Sequence, residues 1–490
     1  MMRRLLFIFV LFLFSCSVSK NYSPNKKYSP EKLREDYSFL RKVLEEKHPS
    51  LYWYTPKDSM DYYFDEGYNA ITDSMTELQF GWKIIAPLTA TIHCGHTSFS
   101  MSKGWNKFIK NKRIPSFPLY LKIWGDTMLV VNNLDRKDSI IKRGAIIKSI
   151  NGMKARDLTS NMFDYMVEDG YSDNVNYIRL SSSFPYFHRN IFGLYKTYNV
   201  SYLDSTGIER KVMLPFFTPT IDSLKKRKKE VPGVKEKKST RREKLENIRS
   251  LVIDTSSAIM TINTFSKAHL HHFFRSSFRR MAKENIQHLV IDIRANGGGD
   301  IDNYVRLTKY LRKNSFKVAD TAFAISKNFK PFTRRITSGI FNNLGLLFVT
   351  HKEKDGKYHF GYWERHTFKP KRKNHFDGQV FVLTNGLTFS ASSLFCNAIK
   401  GQENVTLVGE ETGGGWYGNS GIMIPDIVLP KTKLRVRLPF FRIVQYNHIA
   451  EKGTGVIPDI YVGPNVKDVR AGVDTKLEVV REMINKEKSN

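Results

Sequence analysis

The stretch His288-Leu289-Val290-Ile291-Asp292-Ile293-Arg294-Ala295-Asn296-Gly297-Gly298-Gly299-Asp300 decides the fold. Its opening is an unbroken apolar run where a half-buried strand would alternate, so it predicts a strand buried on both faces. Three glycines then free the backbone for a sharp turn, and apolar spacing predicts a helix from about Asp302 to Arg312. The crossing recurs downstream: strand Val380-Phe381-Val382-Leu383-Thr384, a helix from Ser390 to about Lys400, and strand Val405-Thr406-Leu407-Val408-Gly409. Upstream lie strand Ala258-Ile259-Met260-Thr261-Ile262 and a helix from Leu270 to Glu284. Buried runs alternating with helices predict a mainly parallel sheet covered on both faces, whose ligands bind at the carboxyl ends of the strands.

This α/β region, expected over 248–482, is the last part of a multidomain chain. Residues 31–112 carry apolar side chains at helical spacing, as in Leu33, Tyr37, Leu40 and Val43, then Phe80, Trp82, Ile84, Ile85 and Leu88. They predict a helical domain closing on Thr91-Ile92-His93-Cys94-Gly95-His96-Thr97-Ser98. Residues 113–215 switch to strand-like alternation, and Gly144-Ala145-Ile146-Ile147-Lys148-Ser149-Ile150-Asn151-Gly152 reads as a strand closed by an Asn-Gly turn. That segment resembles the central element of PDZ domains, which bind an extended peptide as an added strand. A small β-sandwich or hairpin domain is the alternative.

Charge is the unusual quantity. Lys and Arg number 78 against 47 Asp and Glu, a net +31 over 490 residues. The run Lys225 to Lys244 holds eleven basic and three acidic residues, about a quarter of that excess, and like charges at such density predict an exposed linker over 216–247. A hydrophobic content of 41% excludes a largely disordered chain.

The N-terminus bears on what the charge meets. Residues 1–16 read MMRRLLFIFVLFLFSC: a basic flank, an apolar run too short to span a bilayer, and a small residue before a cysteine. Leu13-Phe14-Ser15-Cys16 resembles the lipobox of bacterial lipoproteins. The resemblance implies a lipoprotein signal peptide at 1–15, a lipid anchor on Cys16, and a tether over 16–30. An ordinary signal peptide is the alternative. The implied place is the cell envelope, on a bacterial membrane and facing outside the cytoplasm, where the membrane is a partner and nucleic acid is not. Of the remaining cysteines, Cys94 and Cys396 read as unpaired and buried, though one disulfide is possible.

Two strand-to-helix crossings concentrate the chemistry. The glycine turn presents backbone N–H groups as an oxyanion or phosphate site needs, and the absence of a following Gly-Lys-Ser/Thr excludes a P-loop. At the second, Ser390 reads either as a helix cap or as a nucleophile beside the Ala391 amide at the positive helix end.

Together these crossings resemble the core of the tail-specific, C-terminal-processing serine peptidases, the family that includes the tricorn core protease. "D-x-R-x-N-G-G" matches Asp292 to Gly298, and "L-T-N-x-x-T-x-S-A" matches Leu383 to Ala391. "G-x-x-T-x-G" matches Gly409 to Gly414, and "G-V-x-P-D" matches Gly455 to Asp459. The resemblance implies a ClpP/crotonase-like core and a serine-type endopeptidase acting on unstructured or C-terminal protein segments, with no cofactor. It also implies Ser390 as nucleophile and Gly297, Gly298 and Ala391 as oxyanion donors. The family's lysine-base design is not met, because Gly415 occupies the lysine position. Its tricorn-like design takes the base from a histidine, and Cys94-Gly95-His96-Thr97 fits, with Cys94 in place of the usual Asp or Ser. His96 is therefore the expected base, while His93, His269, His271 and His272 read as ordinary. Glu451 is the candidate to orient the imidazole, at a spacing one residue off, with Glu411 and Glu410 as substitutes. A non-catalytic binding protein on the same fold is the rival, and a cysteine nucleophile is a weaker one. No His/Cys/Glu cluster has metal-ligand spacing, and the sequence leaves the oligomeric state open.

Overall fold

The computed structural model describes residues 22–135, 140–219, 240–266, 268–446 and 450–489. The signal segment, Cys16 and most of the basic run Lys225 to Lys244 lie outside them. The end of that run enters a short helix, Arg241–Glu246, opened by a reciprocal capping box between Thr240 and Glu243.

A six-stranded sheet carries the C-terminal region, in the order Arg249–Asp254, Ser257–Ile262, His288–Asp292, Gln379–Thr384, Val405–Gly409, Ile460–Tyr461. The first pair is antiparallel and the other four pairings are parallel, as the unbroken apolar runs predict. Successive residues of a strand point to opposite faces, which explains why both must be apolar. Leu289, Ile291, Val380 and Val382 pack on helices Leu270–Lys283, Ile301–Thr308 and Ala391–Ile399. Val290, Phe381, Leu383 and Val408 face the other way and receive Val480 and Ile484 of helix Thr475–Ser489.

Residues 119–215 form an antiparallel sheet with its own buried cluster, backed by helices Ala155–Phe163 and Asn174–Phe192. The predicted Asn-Gly turn is present. Asn151 and Gly152 have φ of 50° and 84°, the signs a type I′ turn demands, and join Ile146–Ile150 to Met153–Lys154.

The N-terminal helices Pro30–Lys47 and Lys57–Asn69 bury Leu33, Tyr37, Leu40 and Phe64, in one cluster with Phe329, Ile336, Val436 and Phe440 from far downstream. Asp36 ties them together: its buried carboxylate accepts from the Lys431 and Thr432 amides and from the Thr432 hydroxyl, at 2.6, 2.8 and 2.6 Å. The segment between the two crossings is also structured. It supplies Ala319–Ala324, His351–Lys352 and Tyr358–His359 to a five-stranded antiparallel sheet completed by Phe441–Gln445 and Gly418–Gly421.

Candidate active site

Ser390 stands where strand Gln379–Thr384 gives way to helix Ala391–Ile399, beside the glycine turn that follows His288–Asp292. As the residue ahead of a helix it should cap, yet its side chain makes no cap hydrogen bond. Its backbone sits at φ 56°, ψ −122°, a conformation that costs a non-glycine residue about 1–3 kcal/mol and persists only when its surroundings impose it. Gly414 is one such constraint: a β-carbon there would lie 2.7 Å from the Ser390 nitrogen. The Ser390 hydroxyl points instead to His96, whose Nε2 is 3.1 Å away.

His96 reaches this point from a turn behind helix Ala86–Ala90, closed by the Thr97 N–H donating to the Cys94 carbonyl at 2.8 Å. A second histidine fixes the turn. Burial pushes His48 down to about 3, so its ring is neutral; Nδ1 accepts from the Ser50 N–H, leaving Nε2–H to donate to the Thr97 hydroxyl at 2.7 Å. The His96 ring itself packs on Phe389, centroids 4.9 Å apart.

The acid facing His96 is Asp169, not Glu451. Asp169 Oδ1 lies 3.8 Å from His96 Nδ1, and both side chains are buried. Two glycine amides hold this carboxylate: Gly95 N–H at 2.8 Å, and Gly415 N–H, from the family's lysine position, at 3.3 Å. Glu451 is exposed, because its loop docks by backbone: the Tyr171 N–H donates to the Gly453 carbonyl at 2.8 Å, and Gly170 leaves no room there for a β-carbon. The two substitutes are engaged elsewhere. Glu411 accepts from the Gly455 N–H at 2.6 Å, and Glu410 pairs with Lys476.

The expected oxyanion donors divide. Ala391 opens its helix, so its N–H has no acceptor within the helix. The Gly298 N–H is already given to Asn296 Oδ1 at 3.0 Å, whereas Gly297 faces open space. Asn296 also accepts from the Phe389 N–H at 3.1 Å through its carbonyl, joining the two crossings. Other motif residues are structural: Arg294 bridges Asp292 and Asp474, and Asp459 accepts from the Leu407 N–H and pairs with Lys400.

Cys94 and Cys396 are both free and buried. Burial pushes the Cys94 thiol up to about 12 and Cys396 higher still, which leaves no thiolate nucleophile. Although no metal-ligand spacing is visible in the sequence, the fold brings donor atoms of Cys94, His96 and Asp169 within 4.8 Å of one another. Asp169 was not legible as a site residue. Its one local signal is the Asp169-Gly170 pair, which marks a turn and says nothing of His96.

Residues 256–462 match the family model of peptidase family S41. The match spans both crossings and stops short of His96 and Asp169. Similar solved structures include mature CPAF complexed with lactacystin, 13% identical, covering 93% of this chain and 98% of that one with a TM-score of 0.64. Mature CPAF alone is 13% identical, covering 90% of this chain and 94% of that one at 0.62. At such identity the likeness is one of fold. No curated protein matches the chain in sequence.

Proposed function

We propose, from the premise that the chain belongs to peptidase family S41 and is a serine peptidase acting on polypeptides, that Ser390 is its nucleophile and His96 its general base. One observation carries this: the 3.1 Å approach of two residues 294 positions apart. Ser390 Oγ attacks the peptide carbonyl carbon as His96 Nε2 takes its proton, and the same proton passes to the leaving amine. Water then hydrolyses the acyl-enzyme with His96 again as base. Asp169 faces the Nδ1 side, where a carboxylate favours the tautomer and the transient imidazolium. The Ala391 and Gly297 N–H groups receive the oxyanion, a role worth about 10²–10³ in rate per donor in other serine peptidases.

Unstructured or C-terminal segments are the proposed substrates, recruited by the 113–215 domain acting in the PDZ-like manner, as an edge to which an extended strand adds. Its antiparallel sheet with an independent core supports this. The enzyme is placed in the cell envelope, outside the cytoplasm, anchored to a bacterial membrane by lipid on Cys16. The apolar run Leu5 to Phe14 supports that, and no described helix is long and apolar enough to cross a membrane.

Ser390→Ala should abolish hydrolysis of an unfolded polypeptide with the far-ultraviolet circular dichroism unchanged. A fluorophosphonate should label the wild type and fail on His96→Ala. Hydrolysis retained in Ser390→Ala overturns the assignment, and a wild type that neither cleaves nor labels leaves the binding-protein rival. Loss of membrane association in Cys16→Ala tests the anchor.

A further inference from the structure

The surroundings of His96 hold more than a catalytic hydrogen bond requires. Cys94 Sγ, a His96 ring nitrogen and an Asp169 carboxylate oxygen lie within 4.8 Å of one another, and all three residues are buried. A four-coordinate zinc ion, with bonds of about 2.0–2.3 Å, sets its donors roughly 3.3–3.6 Å apart, so small side-chain shifts would close the set. The His96 Nδ1 to Asp169 Oδ1 separation is already 3.8 Å.

A second observation points to a ligand. Among the described residues, His96 Nδ1 and the Tyr54 hydroxyl are two of sixteen buried side-chain polar atoms without a hydrogen-bond partner, and His96 Nδ1 is the one that stands among the three donors. Tyr54 belongs to the same surroundings, since the Asp169 carboxylate and Cys94 both add to the burial that holds its hydroxyl far above the ordinary range. One sulfur, one imidazole nitrogen and one carboxylate form a donor set suited to zinc and unsuited to magnesium or calcium, which take oxygen alone.

We propose that Cys94, His96 and Asp169 form an inhibitory site for a zinc-class divalent cation. Its inhibitory sense rests on His96 being the base. The ion takes the Nδ1 lone pair, so the single proton of the neutral ring resides on Nε2. Nε2–H then donates to the Ser390 hydroxyl and no longer accepts from it, and Asp169 is withdrawn from the ring at the same stroke. The Cys94 thiol gives its proton to solvent as its sulfur binds, and one proton leaves per ion.

The binding half is read with cobalt(II) as the probe, on the full chain and on Ser390→Ala. A thiolate-to-cobalt charge-transfer absorption is expected in both, bleached by zinc and missing in Cys94→Ser. X-ray absorption of the zinc-loaded wild type should count one sulfur among the ligands, a measurement that holds even if the Cys94 variant misfolds. For the inhibitory half, zinc should suppress peptide hydrolysis and fluorophosphonate labelling, reversed by a chelator. In Cys94→Ser, measured against its own uninhibited rate, the zinc concentration for half-inhibition should rise by at least about tenfold. A shell of nitrogen and oxygen alone, or equal inhibition in Cys94→Ser, overturns the proposal. If no hydrolysis is found at all, the proposed function fails while the cobalt absorption still decides the metal site.

Discussion

Gly298 is pressed so closely against Ser390 that a β-carbon on the glycine would stand 2.7 Å from that of the serine. Its other neighbours are backbone, Phe389 O at 2.8 Å and Ala391 N at 3.0 Å, and its φ of 100° is strained for any other residue. Gly298→Ala must therefore displace the serine or the turn. The expected result is a fall in kcat of about 10²–10³, the size of losing one oxyanion donor, with a smaller change in KM. Steady-state kinetics beside circular dichroism checks it.

Asp169 and Glu451 make a discriminating pair. Asp169→Asn should lower kcat by roughly 10²–10⁴, since the amide can donate to Nδ1 and favour the wrong tautomer. Glu451→Gln, on an exposed loop, should leave kcat within about twofold. The opposite ranking would return the orienting role to Glu451.

Acid should destabilise the fold through two buried histidines. Burial lowers His48 from 6.5 to about 3 and His188 from 6.5 to about 4. In the unfolded chain both titrate near the ordinary value, so below it the unfolded state binds protons that the folded state refuses. Stability is unaffected by these groups above about pH 6.5 and falls as pH drops, by about 1.4 kcal/mol per pH unit for each, down to their folded values. His188 lies among Phe117, Phe184 and Tyr198. His188→Phe should therefore recover about 2 kcal/mol of what the wild type loses between pH 7 and pH 5, read by urea unfolding at both pH values.

Asp36→Ala tests whether the N-terminal helices and the downstream loop unfold together. The change strands the buried amide and hydroxyl of Thr432 and the part-buried amide of Lys431, and should cost about 3 kcal/mol. A single urea transition moving to a lower midpoint is the expected result. Two separated transitions would show that Asp36 is not a shared tie.

The parallel sheet was legible because its strands are buried on both faces, so their burial is written locally as apolar runs. The crossings were legible for the same reason, with glycines at Gly298, Gly299 and Gly413 to Gly415 marking where chains meet without side chains. The second sheet was not. Ala319–Ala324 pairs with Phe441–Gln445, more than a hundred positions away, and its partners His351–Lys352 and Tyr358–His359 are two residues long, too short for alternation to register. Asp169 escaped for a related reason. Its carboxylate is placed by Gly95 and Gly415 amides, and a backbone donor has no residue identity to read. Glu451 was favoured by spacing along the chain, which is silent on which way a loop turns its side chains.

The wide separation of His96 and Ser390 has a bearing on how the molecule comes into being. During synthesis the N-terminal end is released first, so the histidine emerges with its turn long before the serine exists. Asp169 arrives in between, and the Gly415 amide that steadies it follows the serine. A partly made chain thus holds fragments of the machinery and no site. On the proposed assignment, hydrolytic competence therefore follows only once Ser390 and Gly415 have joined the fold.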